Sequence, residues 1–556
     1  MLAGRPPLPR DFEPRVLPRA QNELYGHPDD AGTVPRRRDA SPAAPPLTPA
    51  GAATAAAATT RLTLDSMNPR VRDAAYAVRG PIVVRAGELE AQIRAGKGGE
   101  LPFESIIYCN IGNPQQLGQL PMSFARQVLA LLSYPPLMDD PRAKDLFAPD
   151  AIERARRYSS VIGTGGTGAY SHSQGVLGIR EDVAAFVAER DGFPCDPLAL
   201  FLTDGASPAV KMMVQSVVAE KDVDGVLIPI PQYPLYTASL ALEGGVPVPY
   251  YLDEEKGWGT AMDELRRALA EARAQGGGGA VRPRALVVIN PGNPTGSCMP
   301  PDTVREVAQF AADEGLVLMA DEVYQENVWR DDVPFTSFKK AACELGLLHP
   351  ERPNSGEPGP SGRLQLVSMH SVSKGFLGEC GRRGGYMELC GFDADVRAQL
   401  YKLASISLCS NIDGQVMVGL MTRPPAPGDA SHGAWVSERD GILASLRRRA
   451  ARLAAAFRGM EGVTCAEPEG ALYAFPKVTL PDKAVEAARA SGAAADAVYC
   501  MRLLESTGIV VVPGSGFGQR EGTFHFRTTI LPPEDDIDAV VARMGAFHSA
   551  FMDEYR

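Results

Sequence analysis

A lysine and a pair of arginines follow an apolar stretch of this sequence in an arrangement that a solvated surface explains poorly. The stretch "LQLVSMH" is typical of a buried strand, and "SVSKGFLGECGRRGG" follows it with Lys374 and Arg382 among small residues. A lysine amine at such a place can act as a nucleophile or a base, and an arginine can bind a phosphate or carboxylate through two hydrogen bonds. Ser371 and Ser373 add hydroxyl groups just before the lysine. The segment therefore predicts an anion site with a reactive amine beside it.

Polar clusters also follow three earlier apolar runs. "TDGAS" (203–207) combines a tight turn with a helix start, where free N–H groups and Ser207 suit a phosphate. "NPGNPTG" (290–296) is a rigid loop that presents Asn293. "ADEVYQ" (320–325) places Asp321 and Tyr324 after a buried run, where an acid needs a cationic partner. Taken singly, each cluster also fits an ordinary helix cap, turn or surface acid.

The elements that would position these clusters are typical of an α/β protein. From Leu200 onward, short apolar runs alternate with amphipathic helix patterns, which predicts a mostly parallel sheet covered on both faces. Ligands of such a sheet bind outside the carboxyl ends of the strands, so the four clusters should converge on one crevice. After about residue 410, a long helical pattern and several short strand candidates predict a separate, smaller α+β domain.

The clusters and their order resemble a known family. "NPTG" (293–296), "DEVY" (321–324) and "SVSKGF" (371–376), with an arginine eight positions after Lys374, are similar to the signature of the class I/II pyridoxal-phosphate-dependent aminotransferases of fold type I. The resemblance covers roughly residues 67–550. It implies pyridoxal 5'-phosphate as cofactor, amino acid and 2-oxo acid substrates, and a homodimer. We expect an N-terminal arm and part of the small domain at 63–150, a large cofactor-binding domain at 151–405 and the C-terminal small domain at 406–556.

The resemblance also implies a role for each cofactor-binding residue. Lys374 would condense with the cofactor aldehyde and then move a proton, and Asp321 would keep the pyridine nitrogen protonated. Asn293 and Tyr324 would bind the phenolic oxygen of the ring, and Tyr233 would stack on it. The implied phosphate ligands are Ala206, Ser207, Ser371, Ser373 and Arg382, together with Tyr170 of the neighbouring subunit.

Two residues are implied on the substrate side. Arg527, in "FHFRTTIL", resembles the arginine that grips the α-carboxylate of the amino acid in a two-pronged contact. Without the resemblance, an arginine alternating with aromatic residues on a strand could equally face solvent. Gly112, in "NIGNPQQ", matches a glycine that lets the backbone approach the substrate.

Segments outside the signature resemble the alanine-specific group of this family. They include "NPRVRDAAYAVRGPIVVRAGEL" (68–89), "YSHSQG" and "PQYPLYTASLAL". The implied reaction converts L-alanine and 2-oxoglutarate to pyruvate and L-glutamate in two half-reactions. A glutamate:glyoxylate aminotransferase has the same residues at nearly every site and stays open as an alternative, although the ending "MDEYR" is unlike a peroxisomal address. A lyase of the same fold and a non-catalytic, cofactor-binding regulator are further alternatives.

The composition of the chain limits which binding partners and which cellular compartment we expect. The 556-residue chain is 45% apolar with a formal net charge of −11, which argues against binding nucleic acid or an anionic membrane. Nine scattered cysteines without a C-x-x-C pair favour a reducing compartment and argue against a zinc site. Residues 1–62, rich in Pro, Ala and Arg, fit either a disordered segment or a targeting peptide. We expect a mitochondrial protein, with a cytoplasmic location as the alternative.

Overall fold

The apolar runs predicted as buried strands form one seven-stranded sheet in the computed structural model, which describes residues 62–74, 80–274 and 280–556. The strands are β1 Ile107–Tyr108, β2 Leu200–Thr203, β3 Asp224–Ile230, β4 Val246–Tyr251, β5 Arg282–Ile289, β6 Val317–Asp321, β7 Gln365–Ser371, β8 Gly385–Cys390, β9 Val463–Thr464, β10 Tyr473–Ala474, β11 Lys477–Val478, β12 Ile509–Val510, β13 Val512–Pro513 and β14 Phe526–Thr529.

The helices are α1 Pro69–Asp73, α2 Pro81–Arg94, α3 Ser123–Ser133, α4 Ala143–Leu146, α5 Pro149–Ile162, α6 Leu177–Asp191, α7 Ala206–Val217, α8 Leu235–Glu243, α9 Met262–Ala274, α10 Pro301–Asp313, α11 Phe338–Glu344, α12 Ala394–Ile406, α13 Ile412–Thr422, α14 His432–Arg458, α15 Asp482–Ala490, α16 Ala495–Thr507 and α17 Ile537–Tyr555. None of the described helices is long and apolar enough to cross a membrane.

The large sheet has the order β2-β8-β7-β6-β5-β3-β4, and its ladders confirm the mostly parallel α/β architecture. β8 is the exception, since it pairs antiparallel with both β2 and β7. Helices cover both faces of this sheet. In β3, Leu227 packs into one apolar cluster with α9 and α10, whereas Val226 and Ile228 pack into another with α7 and α8. Burial on both faces explains why these strands appear in the sequence as continuous apolar runs.

Smaller sheets are formed by strands near residue 107 and strands of the C-terminal region. β1 pairs in parallel with β12, so a segment near residue 107 completes a sheet with the C-terminal region. β14 lies between β10 and β13 and pairs antiparallel with both. The chain from Thr63 to Arg556 is one contact unit. Apolar packing continues across residue 405, because α13 shares a cluster with α3 and α6. The domain limits at 150 and 405 stay predictions, and residues 1–61, where a disordered or targeting segment is predicted, lie outside the described residues.

Candidate active site

A cavity of about 640 Å³ lies at the carboxyl ends of the central strands and brings together most of the predicted site residues. β6 ends at Asp321 and β7 ends at Ser371, so the loops that follow them open into the cavity side by side. The predicted residues that line it are Gly112, Ala206, Ser207, Tyr233, Asn293, Asp321, Tyr324, Ser371, Ser373, Lys374 and Arg527. Convergence of residues that are far apart in sequence is what the parallel sheet requires.

Lys374 is among the residues that line this cavity. Its Nζ donates a hydrogen bond to the backbone oxygen of Gly112 at 2.8 Å and lies 5.8 Å from the centre of the Tyr324 ring. The side chain is half-buried, which leaves the amine open to the cavity. Gly112 has no room for a side chain, because a methyl group there would lie 2.5 Å from the hydroxyl oxygen of Tyr473 and 3.1 Å from the Lys374 amine. A glycine at this position therefore keeps the space beside the amine open.

Asp321 presents an unpaired carboxylate oxygen to the same cavity. The residue is 6% exposed, and its Oδ2 accepts a hydrogen bond from the Tyr236 hydroxyl at 2.8 Å. Its Oδ1 has no hydrogen-bond partner among the described residues. Burial raises the pKa of this carboxyl group. An isolated acid of this kind fits a ligand with a cationic N–H group, because such a partner restores the interaction that burial removes.

Hydroxyl and N–H groups that suit an anion are clustered in the cavity lining. The Ser371 hydroxyl donates to the Ser373 hydroxyl at 2.9 Å, and the backbone N–H of Ser373 donates to Ser371 Oγ at 3.0 Å. Helix α7 begins at Ala206 without a side-chain cap, so its first N–H groups and Ser207 are open to a ligand. The positive end of a helix and clustered donors of this kind suit a phosphate.

The arginine that lines this cavity is Arg383. The predicted Arg382 does not line it, and its role as a phosphate ligand stays a prediction. Arg383 lines the cavity, and its guanidinium donates to the backbone oxygens of Asp204 at 2.8 Å and Cys380 at 3.1 Å. Arg382 is absent from the cavity lining and lies 3.5 Å from the Asp413 carboxylate. A 3₁₀ turn ends at Arg382, and Arg383 has a left-handed backbone conformation with φ of 53°. The chain direction therefore changes between the two arginines, and their side chains diverge.

Arg527 is a buried cation whose N–H groups are only partly used in hydrogen bonds to the described residues. It is 1% exposed, its Nη1 donates to Asn293 Oδ1 at 2.9 Å, and its Nη2 donates to the backbone oxygen of Asn110. The ring centres of Tyr473 and Phe517 lie 4.2 Å and 4.6 Å from the guanidinium carbon. Its Nε has no partner among the described residues. A buried guanidinium without a carboxylate partner fits a carboxylate ligand.

Sequence reasoning missed Arg383, Tyr236 and Tyr473. Tyr236 follows the predicted Tyr233 by three residues, in the first turn of α8, and only this nearness in sequence could have marked it. Tyr473 lies in an apolar strand candidate, "GALYAFPKV", without any polar cluster to mark it. Tyr170, the other predicted residue outside the cavity lining, is 79% exposed on the described chain. Its proposed action in a neighbouring subunit stays a prediction.

Together, the groups of the cavity define a class of protein. A reactive amine, an unpaired acid, an anion cluster and a buried arginine are the groups that an enzyme needs to hold pyridoxal phosphate beside an amino acid. In a mostly parallel α/β fold, they define a pyridoxal-phosphate-dependent transferase. The chain belongs to the aminotransferase class I and II family, whose model matches residues 139–544.

Individual relatives agree with this assignment. The chain is 54% identical over 495 residues to alanine aminotransferase 2, mitochondrial, of Arabidopsis thaliana, covering 89% of this chain and 88% of that protein. It is 47% identical over 494 residues to glutamate–glyoxylate aminotransferase 2 of the same organism, covering 89% and 97%. The solved alanine aminotransferase from Pyrococcus furiosus superposes with a TM-score of 0.65 at 22% identity, covering 87% of this chain and 100% of that one. The last comparison supports the fold alone.

Proposed function

We propose that the protein transfers the amino group of L-alanine to 2-oxoglutarate, giving pyruvate and L-glutamate, with pyridoxal 5'-phosphate as cofactor. The observation that carries the proposal is that the Lys374 amine, the open oxygen of Asp321 and the buried guanidinium of Arg527 line one cavity. The alanine aminotransferase of Arabidopsis thaliana, at 54% identity, supports the choice of substrate over the glutamate–glyoxylate aminotransferase at 47%.

In this proposal, the two ends of the cofactor are held by groups of opposite charge. Asp321 would hold the ring nitrogen through its open oxygen and so keep that nitrogen protonated. Ser207, Ser371, Ser373 and Arg383 would hold the phosphate, with the arginine supplying charge-assisted hydrogen bonds. Tyr233, Asn293 and Tyr324 would contact the ring and its phenolic oxygen, and Ala206 would contribute a backbone N–H to the phosphate site. When bound, pyridoxal phosphate supplies an aldehyde carbon and a ring that withdraws electrons from the substrate.

The chain's own residues then orient the substrate and move its proton. Arg527 holds the α-carboxylate, and its two aromatic neighbours and Asn293 fix the plane of the guanidinium. The open space at Gly112 admits the substrate next to the Lys374 amine. Lys374 Nζ would be the base that takes the proton from the α-carbon of alanine in the first half-reaction, and it would deliver a proton to the α-carbon of the new glutamate in the second. The same site serves both half-reactions in turn, so the kinetics should be ping-pong.

A panel of amino donors and oxo acceptors tests this function. Purified protein with cofactor should form pyruvate from L-alanine only when 2-oxoglutarate is present, and it should use pyruvate better than glyoxylate as an acceptor for the glutamate amino group. A preference for glyoxylate would instead support a glutamate:glyoxylate aminotransferase. Release of an oxo acid without any acceptor would support a lyase and contradict the proposal.

Replacing Arg527 with lysine is expected to impair substrate use much more than cofactor binding. A lysine keeps the positive charge but cannot form the two-pronged contact with a carboxylate, so kcat/KM for alanine should fall about thirtyfold. The dissociation constant of pyridoxal phosphate should change by less than about threefold, because Arg527 is not among the groups proposed to hold the phosphate or the ring nitrogen. Steady-state kinetics and a cofactor titration measure the two quantities. An unchanged kcat/KM would contradict the role given to Arg527.

We also propose that the protein is a homodimer in which Tyr170 of one copy contacts the phosphate in the site of the other. Its 79% exposure leaves it available to a second copy. The Tyr170→Ala and Lys374→Ala variants should each be impaired, and mixing them under conditions that exchange subunits should restore activity. A mixed dimer contains one complete site, with Lys374 from the first variant and Tyr170 from the second. A mixture no more active than its components, or a monomer in sedimentation, would contradict this arrangement.

We propose a mitochondrial location, as in the relatives from Arabidopsis thaliana and Dictyostelium discoideum whose names include that word. The relative from Panicum miliaceum, also 54% identical, is named without it. Residues 1–61 fused to a fluorescent protein should direct it to mitochondria, and diffuse cytoplasmic fluorescence would contradict the proposal.

A further inference from the structure

Tyr473 connects the two parts of the cavity that would hold the substrate. It is 3% exposed, lines the cavity and lies in β10, where it pairs with Thr529 of β14, two residues from Arg527. Its ring contacts the Arg527 guanidinium at 4.2 Å. Its hydroxyl oxygen lies 2.5 Å from the point that a side-chain carbon of Gly112 would occupy, and the Lys374 amine lies 3.1 Å from that same point. Tyr473 therefore contacts Arg527, which would bind the carboxylate, and its hydroxyl lies near the reactive amine of Lys374.

The hydroxyl of Tyr473 has a proton to donate. It accepts a hydrogen bond from the Tyr324 hydroxyl at 3.2 Å, so its own proton must be directed elsewhere. Among the described residues, that proton has no acceptor at hydrogen-bond distance. A buried donor without an acceptor costs free energy, and a ligand that accepts its hydrogen bond would remove this cost. The space between Lys374 and Arg527 is where this acceptor would lie.

We propose that Tyr473 is a further substrate-binding residue, whose hydroxyl donates a hydrogen bond to the carboxylate that Arg527 holds. The inference rests on the proposed function for the position of that carboxylate, and it adds a second, directional donor to the guanidinium. The Tyr473 ring packs against the Arg527 guanidinium, and its hydroxyl would bind the carboxylate of the ligand. The ring and the hydroxyl would therefore both help to position that carboxylate. The ligand class is an amino or oxo acid with a carboxylate next to the reacting carbon.

The electrostatic surroundings agree with a donor role. Although burial works in the other direction, the charges of Lys374 and Arg527 lower the pKa of Tyr473 below its ordinary value. The charged and titratable groups that act on this hydroxyl are Lys374, Arg527, Tyr324 and Cys380. A hydroxyl with a lowered pKa is a stronger hydrogen-bond donor while it keeps its proton. Once it ionises, it can no longer donate and repels a carboxylate.

The test is a titration of the cofactor-loaded protein with propionate, a carboxylate of alanine's size that has no amino group to react. Tyr473→Phe keeps the ring on Arg527 and removes only the hydroxyl, and it should weaken propionate about tenfold or more in calorimetry. Tyr473→Leu removes the ring as well and should weaken propionate further. Tyr499→Phe removes another buried tyrosine hydroxyl, which is outside the cavity lining and bonded to His548. It is the matched control and should bind propionate as the native protein does.

The pH dependence supplies a second measurement. In the native protein, propionate affinity should fall as the pH rises through the pKa of the Tyr473 hydroxyl, and the difference between native protein and Tyr473→Phe should disappear above it. Native affinity in Tyr473→Phe, or an equal loss in Tyr499→Phe, would overturn the proposal. A changed cofactor absorbance with unchanged propionate affinity would also overturn it, since the hydroxyl would then act through Tyr324. Failure of the native protein to bind pyridoxal phosphate or to transaminate alanine would count against the proposed function instead.

Discussion

Replacing Lys374 with alanine is expected to reduce turnover of alanine and 2-oxoglutarate by about a thousandfold or more, because the change removes both the covalent anchor and the base. The amine lies in the cavity with its Nζ 2.8 Å from the Gly112 carbonyl oxygen, and no other lysine of the described part of the chain lines that cavity. A neighbouring side chain therefore cannot take over the role. Stopped-flow and steady-state assays at saturating cofactor measure the loss.

Two companion variants separate the chemistry of the amine from its charge. Lys374→Arg keeps a positive charge but cannot release its proton near neutral pH, so it should be almost as inactive as Lys374→Ala. Lys211→Ala makes the same truncation at an exposed lysine of α7 and should leave turnover within about twofold of the native value, as surface substitutions generally do. Both active-site variants should still take up pyridoxal phosphate, since the phosphate and ring contacts remain. Substantial turnover in Lys374→Ala would refute the assignment of this residue.

The sequence predicted the large sheet well where apolar runs were uninterrupted, and it failed at β8 for a physical reason. β8, "GYMELC", is buried along its whole length but contains Glu388, a charged residue that hides the strand in a hydropathy pattern. Glu388 is tolerated there because the buried amine of Lys339 donates to its Oε1 at 2.6 Å. That partner comes from α11, some fifty residues earlier in the chain. A pairing between distant residues cannot be seen in a local pattern.

The residues of the candidate site also differ in whether the sequence alone could predict them. Residues at the ends of strands, such as Asp321 and Ser371, could be predicted because the parallel sheet brings strand ends together. Tyr473 could not, because it reaches the cavity from a separate small sheet. Arg383 could not either, since the choice between two adjacent arginines depends on backbone angles at the turn and not on spacing. Spacing locates a loop, whereas the direction of each side chain needs the folded backbone.

Replacing Arg383 has the second large expected effect. Arg383→Gln should weaken the binding of pyridoxal phosphate about a hundredfold, because it leaves the phosphate without its charged partner. Its guanidinium lies among the groups of the anion site, and a glutamine side chain keeps hydrogen-bonding capacity but not the charge. Pyridoxal, which lacks the phosphate, should bind the native protein and Arg383→Gln with similar affinity. Titration of the cofactor-free protein, followed by absorbance, measures both ligands.

Arg382→Gln is the matched control, with the same chemical change one residue away. Arg382 pairs with Asp413 at 3.5 Å, and both side chains are about one-third exposed, at 32% and 35%. Because exposed ion pairs contribute about 0–1 kcal/mol, this variant should bind pyridoxal phosphate within about threefold of the native protein. The ratio of the two dissociation constants is therefore the quantity that decides between the arginines. A larger loss in Arg382→Gln than in Arg383→Gln would restore the eight-residue spacing as the correct guide and would mean that Arg383 faces the cavity without holding its ligand.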